Sequence, residues 1–153
     1  MKARLRHLLR LSGSRIFRWI LIVIALLVSI ECLLQYQDSE YVRSIAEDVI
    51  SKAEATDDRA SVLALRDYLR GAVHYTGVSK EDRPFFRATA GETLKSGEGY
   101  CGEATRAFIC MAGEAGIRSQ RINLYGKTPH VVAEAQLSSG ERLIVDCQSP
   151  PEV

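Results

Sequence analysis

The chain has 153 residues, of which 46% are hydrophobic and 25% charged. These are ordinary globular proportions for one domain. The net charge of +1 hides an asymmetry: Lys2, Arg4, Arg6, Arg10, Arg15 and Arg18 fall in the acid-free first 18 residues, leaving 14 basic against 19 acidic residues in the remainder. That acidic balance argues against nucleic-acid binding by the folded part.

Residues 1–15 read as a basic cytoplasmic leader. Ile16 to Leu34 is almost wholly apolar, and 19 helical residues span about 28 Å, close to the hydrocarbon thickness of a bilayer. Basic residues before this stretch, and Asp38 and Glu40 after it, place the N-terminus inside. A cleaved signal peptide would want small residues where Ser29-Ile30-Glu31 stands. A lipoprotein anchored at Cys32 would not have Glu31 before it, and a buried core helix would need no basic leader. The expectation is a single-pass signal-anchor in the cytoplasmic membrane, held in the lipid bilayer through residues 16–34. The rest of the chain would then be periplasmic or extracellular.

Gln35 to Asp38 is expected to be a short polar link. Val42, Ile45, Ala46, Val49, Ile50 and Ala53 recur at helical spacing, with Ser39 as N-cap. Asp57-Asp58 ends that helix and caps a second, whose stripe is Val62, Leu65, Leu69, Ala72 and Val73. Tyr75 to Arg87 reads as a loop. Thr89 with Glu92 is a capping-box pattern for a short helix ending near Lys95. The run Ser96-Gly97-Glu98-Gly99-Tyr100-Cys101 leads into a third long helix with Ala104, Ala107, Phe108, Met111 and Ala115 on one side and Gly116 as its stop. Ile117 to Tyr125 predicts a strand, and Gly126-Lys127-Thr128-Pro129 turns the chain into a strand opening at His130. The next strand is Leu143-Ile144-Val145-Asp146. Helices first and strands afterwards give an α+β fold with a small antiparallel sheet.

Cys101, His130 and Asp146 are the candidate catalytic residues: a nucleophile, a base and an orienting carboxylate suit thiol-based acyl transfer. A thiol at a helix N-terminus feels the positive end of the macrodipole, and free N–H groups there can stabilise an oxyanion. Register tests the other two. A three-residue loop, Ser138-Ser139-Gly140, pairs Leu137 with Glu141 and Val132 with Asp146, so His130 and Asp146 share a face as diagonal neighbours. A two-residue loop would put them on opposite faces. The three-residue register leaves Val131, Ala133, Ala135, Leu137, Leu143, Val145 and Cys147 on an apolar face. The polar face with His130 is where the Cys101 helix is expected to dock.

His74 is a competing base without an orienting acid. Tyr75 and Tyr100 are candidates for a second oxyanion donor. Cys110 and Cys147 are the one pair left for a disulfide, but both read better as small core residues. No His/Cys spacing suits zinc, and Gly97-Glu98-Gly99 lacks the ending of a phosphate loop. No metal and no cofactor are expected.

Residues 39–149 resemble the transglutaminase-like superfamily of papain-like cysteine folds. The resemblance rests on Thr89-Ala90-Gly91-Glu92-Thr93-Leu94, Gly97-Glu98-Gly99-Tyr100-Cys101-Gly102-Glu103-Ala104 and Ala112-Gly113-Glu114-Ala115-Gly116-Ile117. It continues through His130-Val131-Val132-Ala133-Glu134 and Ile144-Val145-Asp146. It implies a transglutaminase-like domain over residues 39–153, with Cys101 as nucleophile, His130 as general base and acid, and Asp146 as orienter. It also implies a thioester formed from a peptide, protein or glutamine-containing substrate, resolved by water or by an amine. Cys147 stands where the family often has Pro or a small polar residue. The sequence stops at Val153, where many relatives continue with further strands, so the expectation is either a minimal sheet or a protein partner that completes it. The alternative to an enzyme is a non-catalytic binding or assembly module retaining the fold.

Overall fold

The computed structural model describes residues 2–76 and 87–148, with side chains from residue 15. Two compact units emerge, residues 1–37 and 38–153. The elements are α1 (Lys2–Lys52), α2 (Asp58–Ala72), β1 (His74–Tyr75), α3 (Ala90–Ser96), β2 (Glu98–Gly99), α4 (Cys101–Glu114), β3 (Arg118–Leu124), β4 (His130–Gln136) and β5 (Arg142–Val145). This is the expected α+β architecture.

In the first unit, the apolar residues from Ile16 to Leu34 are all exposed, Trp19 and Leu27 among them. Among the described residues one helix is long and apolar enough to cross a membrane, and it is this one. Residues 35–38, expected as a link, are helical: Gln35-Tyr36-Gln37-Asp38 contains no Gly or Pro to break α1. Ser39 therefore caps nothing, and its hydroxyl donates instead to Glu114 Oε1 at 3.1 Å.

In the second unit, the apolar stripes converge as expected. Val42, Ala46 and Val49 of α1 join Val62, Leu65 and Leu69 of α2 and Ala104, Ala107, Phe108 and Met111 of α4 in one core. Leu65, Leu69, Phe108 and Met111 are wholly buried, and burial of each such side chain stabilises by roughly 1.5–3 kcal/mol. The stripe ends Ala53 and Ala115 are exposed. Asp57 caps α2 by accepting from the Ala60 N–H at 2.8 Å. The capping box of Thr89 and Glu92 starts α3. α4 ends in a Schellman arrangement: Gly116 is left-handed at φ +76°, the Ile117 N–H donates to Ala112 O, and the Gly116 N–H donates to Gly113 O.

Strands β3, β4 and β5 form the antiparallel sheet in that order. Gln136 pairs with Arg142 and Ala133 with Val145. This is the register of a three-residue loop, and Gly140 in its third position has φ +86°. β1 and β2, which run parallel, are a finding beyond the expected sheet: His74 pairs with Glu98 and Tyr75 with Gly99. His74 thus belongs to a strand rather than to a helix end. The charged and proline-containing part of the expected loop lies outside the described residues.

One expectation is overturned. α4 docks on the apolar face of the sheet, packing Ala104, Ala107, Phe108 and Met111 with Ala133, Ala135, Val145 and Cys147. The other face carries Val132, which is buried, half-buried Glu134, and exposed Gln136, Arg142 and Ile144. Burying α4's apolar stripe against those charges would leave them without water, so hydrophobic matching decides the docking face.

Candidate active site

Cys101 is the first residue of α4, and the run before it is built by close approach. Gly97 caps α3 in the left-handed conformation, φ +67°. A Cβ on Gly99 would stand 3.1 Å from the Glu103 Cβ, 3.3 Å from Thr93 Cγ2 and 3.4 Å from Val73 Cγ1. Three neighbours therefore crowd any side chain there, at the entry to α4. Glu103, nearly buried, accepts from the Tyr100 N–H at 3.1 Å and pairs with Arg87 at 3.7 Å. The carboxylate thus braces the turn that presents Cys101. The Tyr75 and Tyr100 rings meet edge to face, 5.7 Å between centroids, beside that turn.

His130 and Asp146 meet as the register requires: Nε2 lies 2.9 Å from Asp146 Oδ2. The other carboxylate oxygen, Oδ1, accepts from the Gln148 N–H at 3.0 Å, and the Asp146 carbonyl accepts from Arg70 Nε at 3.0 Å. At the far end of the hairpin, Asp58 Oδ2 accepts from the Ser138 N–H at 2.7 Å. That bond holds the Asp58 carboxyl below the usual aspartate range. Helix α2 therefore grips the β4–β5 hairpin at its loop and again at the acid.

The link between the helix half and the sheet half runs through Thr105. Its hydroxyl donates to Val131 O at 3.1 Å, one residue from His130. Cys101 is four residues earlier on the same side of α4, about 6 Å further along the axis. Because α4 lies on the face opposite His130, nucleophile and imidazole can meet only around the N-terminal end of β4. Among the described residues no hydrogen bond joins Cys101 Sγ to the imidazole. Thr105, Arg70 and Gln148 escaped the sequence reading; of these, only Thr105 left a signal, as a polar residue among the buried positions of α4.

The other thiols are set apart by environment. Cys147 is buried in the core, and burial, reinforced by the neighbouring Asp146 charge, pushes its thiol up to about 12. Cys110 is not the core residue expected: it faces outward, because Phe108, Met111 and Ala112 occupy the inner side of α4. Partial burial of its sulfur, with the Asp38 and Glu114 carboxylates nearby, still raises its pKa. All four cysteines are free, so the Cys110–Cys147 pairing does not occur. Among the described residues, no cluster of His, Cys, Asp or Glu could hold a metal ion.

Comparison with known proteins follows the same outline. The chain is similar to the structure of a candidate cysteine protease from Cytophaga hutchinsonii, with TM-score 0.57 and 21% identity over 71% of this chain and 37% of that one. It is likewise similar to a candidate protease from Parabacteroides distasonis, with TM-score 0.57 and 15% identity over 68% of this chain and 22% of that one. A TGase gives TM-score 0.56 and 13% identity over 76% of this chain and 33% of that one. At these identities the likeness is one of fold, and the chain spans well under half the length of each. No curated protein matches the sequence. The profile of the Transglutaminase-like superfamily matches residues 43–147, from the C-terminal part of α1 to the residue after Asp146. The chain belongs to the transglutaminase-like superfamily.

Proposed function

We propose that this protein is a membrane-tethered, cysteine-dependent acyl-transfer enzyme acting outside the cytoplasm. Cys101 is its nucleophile, His130 its general base and acid, and Asp146 the residue that orients the imidazole. The observation that carries the reading is the His130–Asp146 pair at 2.9 Å, with both carboxylate oxygens engaged. An ionised Asp146 accepts from Nε2–H, which leaves Nδ1 as the nitrogen that can take the Cys101 proton. The thiolate then attacks the carbonyl carbon of an amide, and free N–H groups in the first turn of α4 can face the oxyanion. The amine leaves with a proton returned by the imidazolium, and a thioester remains on Cys101. Water releases an acid in hydrolysis; an amine releases a new amide in transamidation. The exposed apolar surface of residues 16–34 supports the tether.

A second reading is favoured by one observation: the absence of a Cys101–imidazole hydrogen bond fits a binding module that kept the fold. Labelling of whole cells with a membrane-impermeant electrophilic thiol probe separates the two. The enzyme reading expects Cys101 to react from outside, faster than Cys110, and His130→Ala to slow it about 10²-fold or more. Equal rates at Cys101 and Cys110, or no effect of His130→Ala, would leave the binding module standing. Mass-spectrometric capture of an acyl adduct on Cys101 from a cell-envelope extract would give the substrate class.

A further inference from the structure

Arg121 sits on β3, on the side of the sheet that α4 covers, where it reaches the first turn of that helix. A Cβ placed on Gly102 would lie 3.6 Å from Arg121 Nη2, 3.8 Å from Nη1 and 3.9 Å from Cζ. The guanidinium therefore lies over the residue that directly follows Cys101, in the space a side chain at 102 would take. Arg121 Nε donates to Asn123 Oδ1 at 3.0 Å, which fixes the plane of the group.

Arg43, Arg59 and Arg142 each pair with a glutamate, whereas among the described residues no carboxylate pairs with Arg121. Glu103, the one acid in the first turn of α4, is turned inward and engaged with Tyr100 and Arg87. An exposed, oriented guanidinium, with the positive end of α4 beside it and no counter-ion among the described residues, is built to receive an anion. A planar fork matches a carboxylate better than it matches a neutral amide.

We propose that Arg121 is a substrate-recognition residue, binding a carboxylate that the acyl donor carries close to the scissile amide. The proposal rests on the assignment of Cys101 as the nucleophile. It identifies the donor class as acidic, with the carboxylate coming from a side chain or from a chain terminus.

Alkylation of Cys101 in the detergent-solubilised full chain tests this without a known substrate. Iodoacetate and iodoacetamide both lose iodide to the thiolate, but only iodoacetate brings a carboxylate. Rates are compared on the high-pH plateau, where the thiolate fraction is constant, and read by mass spectrometry of the Cys101 peptide. The expected result is that Arg121→Gln slows iodoacetate about 5-fold or more and changes iodoacetamide less than about 2-fold, with Arg121→Lys recovering part of the loss. Equal changes in both rates, or no change in either, would overturn the proposal while leaving Cys101 as nucleophile. If Cys101 reacts with iodoacetamide no faster than Cys110, the nucleophile assignment falls first and this proposal with it. Protection of Cys101 by N-acetyl-glutamate α-amide points to a side-chain carboxylate, and protection by N-acetyl-glutamine to a terminal one. Protection by neither counts against the proposal.

Discussion

The two halves of the candidate site are built by different means. The sheet half, His130 and Asp146, is placed by backbone pairing: a register, an alternation and a three-residue loop. The helix half, Cys101, is placed by side chains and by missing side chains: the space at Gly99, the carboxylate of Glu103 and the bond from Thr105 to Val131. Backbone pairing repeats with a fixed period, so an error of one residue flips every side chain. Packing around a glycine has no period, and its errors are graded. The contrast predicts that the halves fail differently.

Deleting Arg142 is expected to have the largest effect. The loop keeps its three residues while the rest of β5 slips by one, so Leu143, Val145 and Cys147 rotate away from α4 and Asp146 leaves the His130 face. Exposing buried Val145 and half-buried Leu143 costs roughly 1.5–3 kcal/mol for a fully buried side chain and less for the other. Thermal melts are expected to show a large drop or loss of cooperative unfolding, together with loss of rapid Cys101 labelling. Inserting one glycine between Ser138 and Ser139 is the control: a longer loop can keep the pairing and costs well under about 1 kcal/mol. Equal damage from deletion and insertion would refute placement by register.

Gly99→Ala is the graded counterpart. The added methyl must push Glu103, Thr93 or Val73 by a few tenths of an ångström, a strain of about 1–3 kcal/mol. Urea melts are expected to move by that amount while the His130–Asp146 contact survives, visible as an unchanged imidazole titration by NMR. A shifted titration would mean that the two halves are not independent.

The smallest effect concerns the grip of α2 on the hairpin. The Asp58 carboxyl is held below its unfolded value by the Ser138 N–H. Its stabilising contribution is therefore full above the ordinary aspartate range and is lost as pH falls through the lower folded value. Asp58→Asn is expected to lower Tm slightly at neutral pH, with the gap from the parent closing in strong acid. A gap that stays constant down to pH ~2 would assign the effect to something other than the charge.

The same division explains what could be read from the chain. The alternation around Ala133 and Val145, together with Gly140 at a left-handed loop position, carried the sheet half, register included. The capping box at Thr89 and Asp57 at the head of α2 were equally local. The docking face of α4 follows the apolar face of the sheet rather than the polar face that carries His130, since hydrophobic matching outweighs the pairing of catalytic residues. Ser39 failed as a cap because no helix breaker precedes it. The contacts that steady the site were out of reach: Arg70 meets Asp146, 76 residues away, and Asp38 meets Gly91, 53 away. A Cβ on Gly91 would lie within 3 Å of the Asp38 carboxylate carbon, and no local pattern announces that crowding. Arg121 likewise gave no sign, since its meaning depends on Gly102 in another element.

Asp146 stands between two buried neighbours, Val145 at 2% and Cys147 at 1% exposure. The backbone that carries its carboxylate can leave the sheet only by pulling one of them out of the core. Movement of that backbone is thereby tied to large-scale opening rather than to local fraying. Whatever loosens the core loosens the acid on the same timescale.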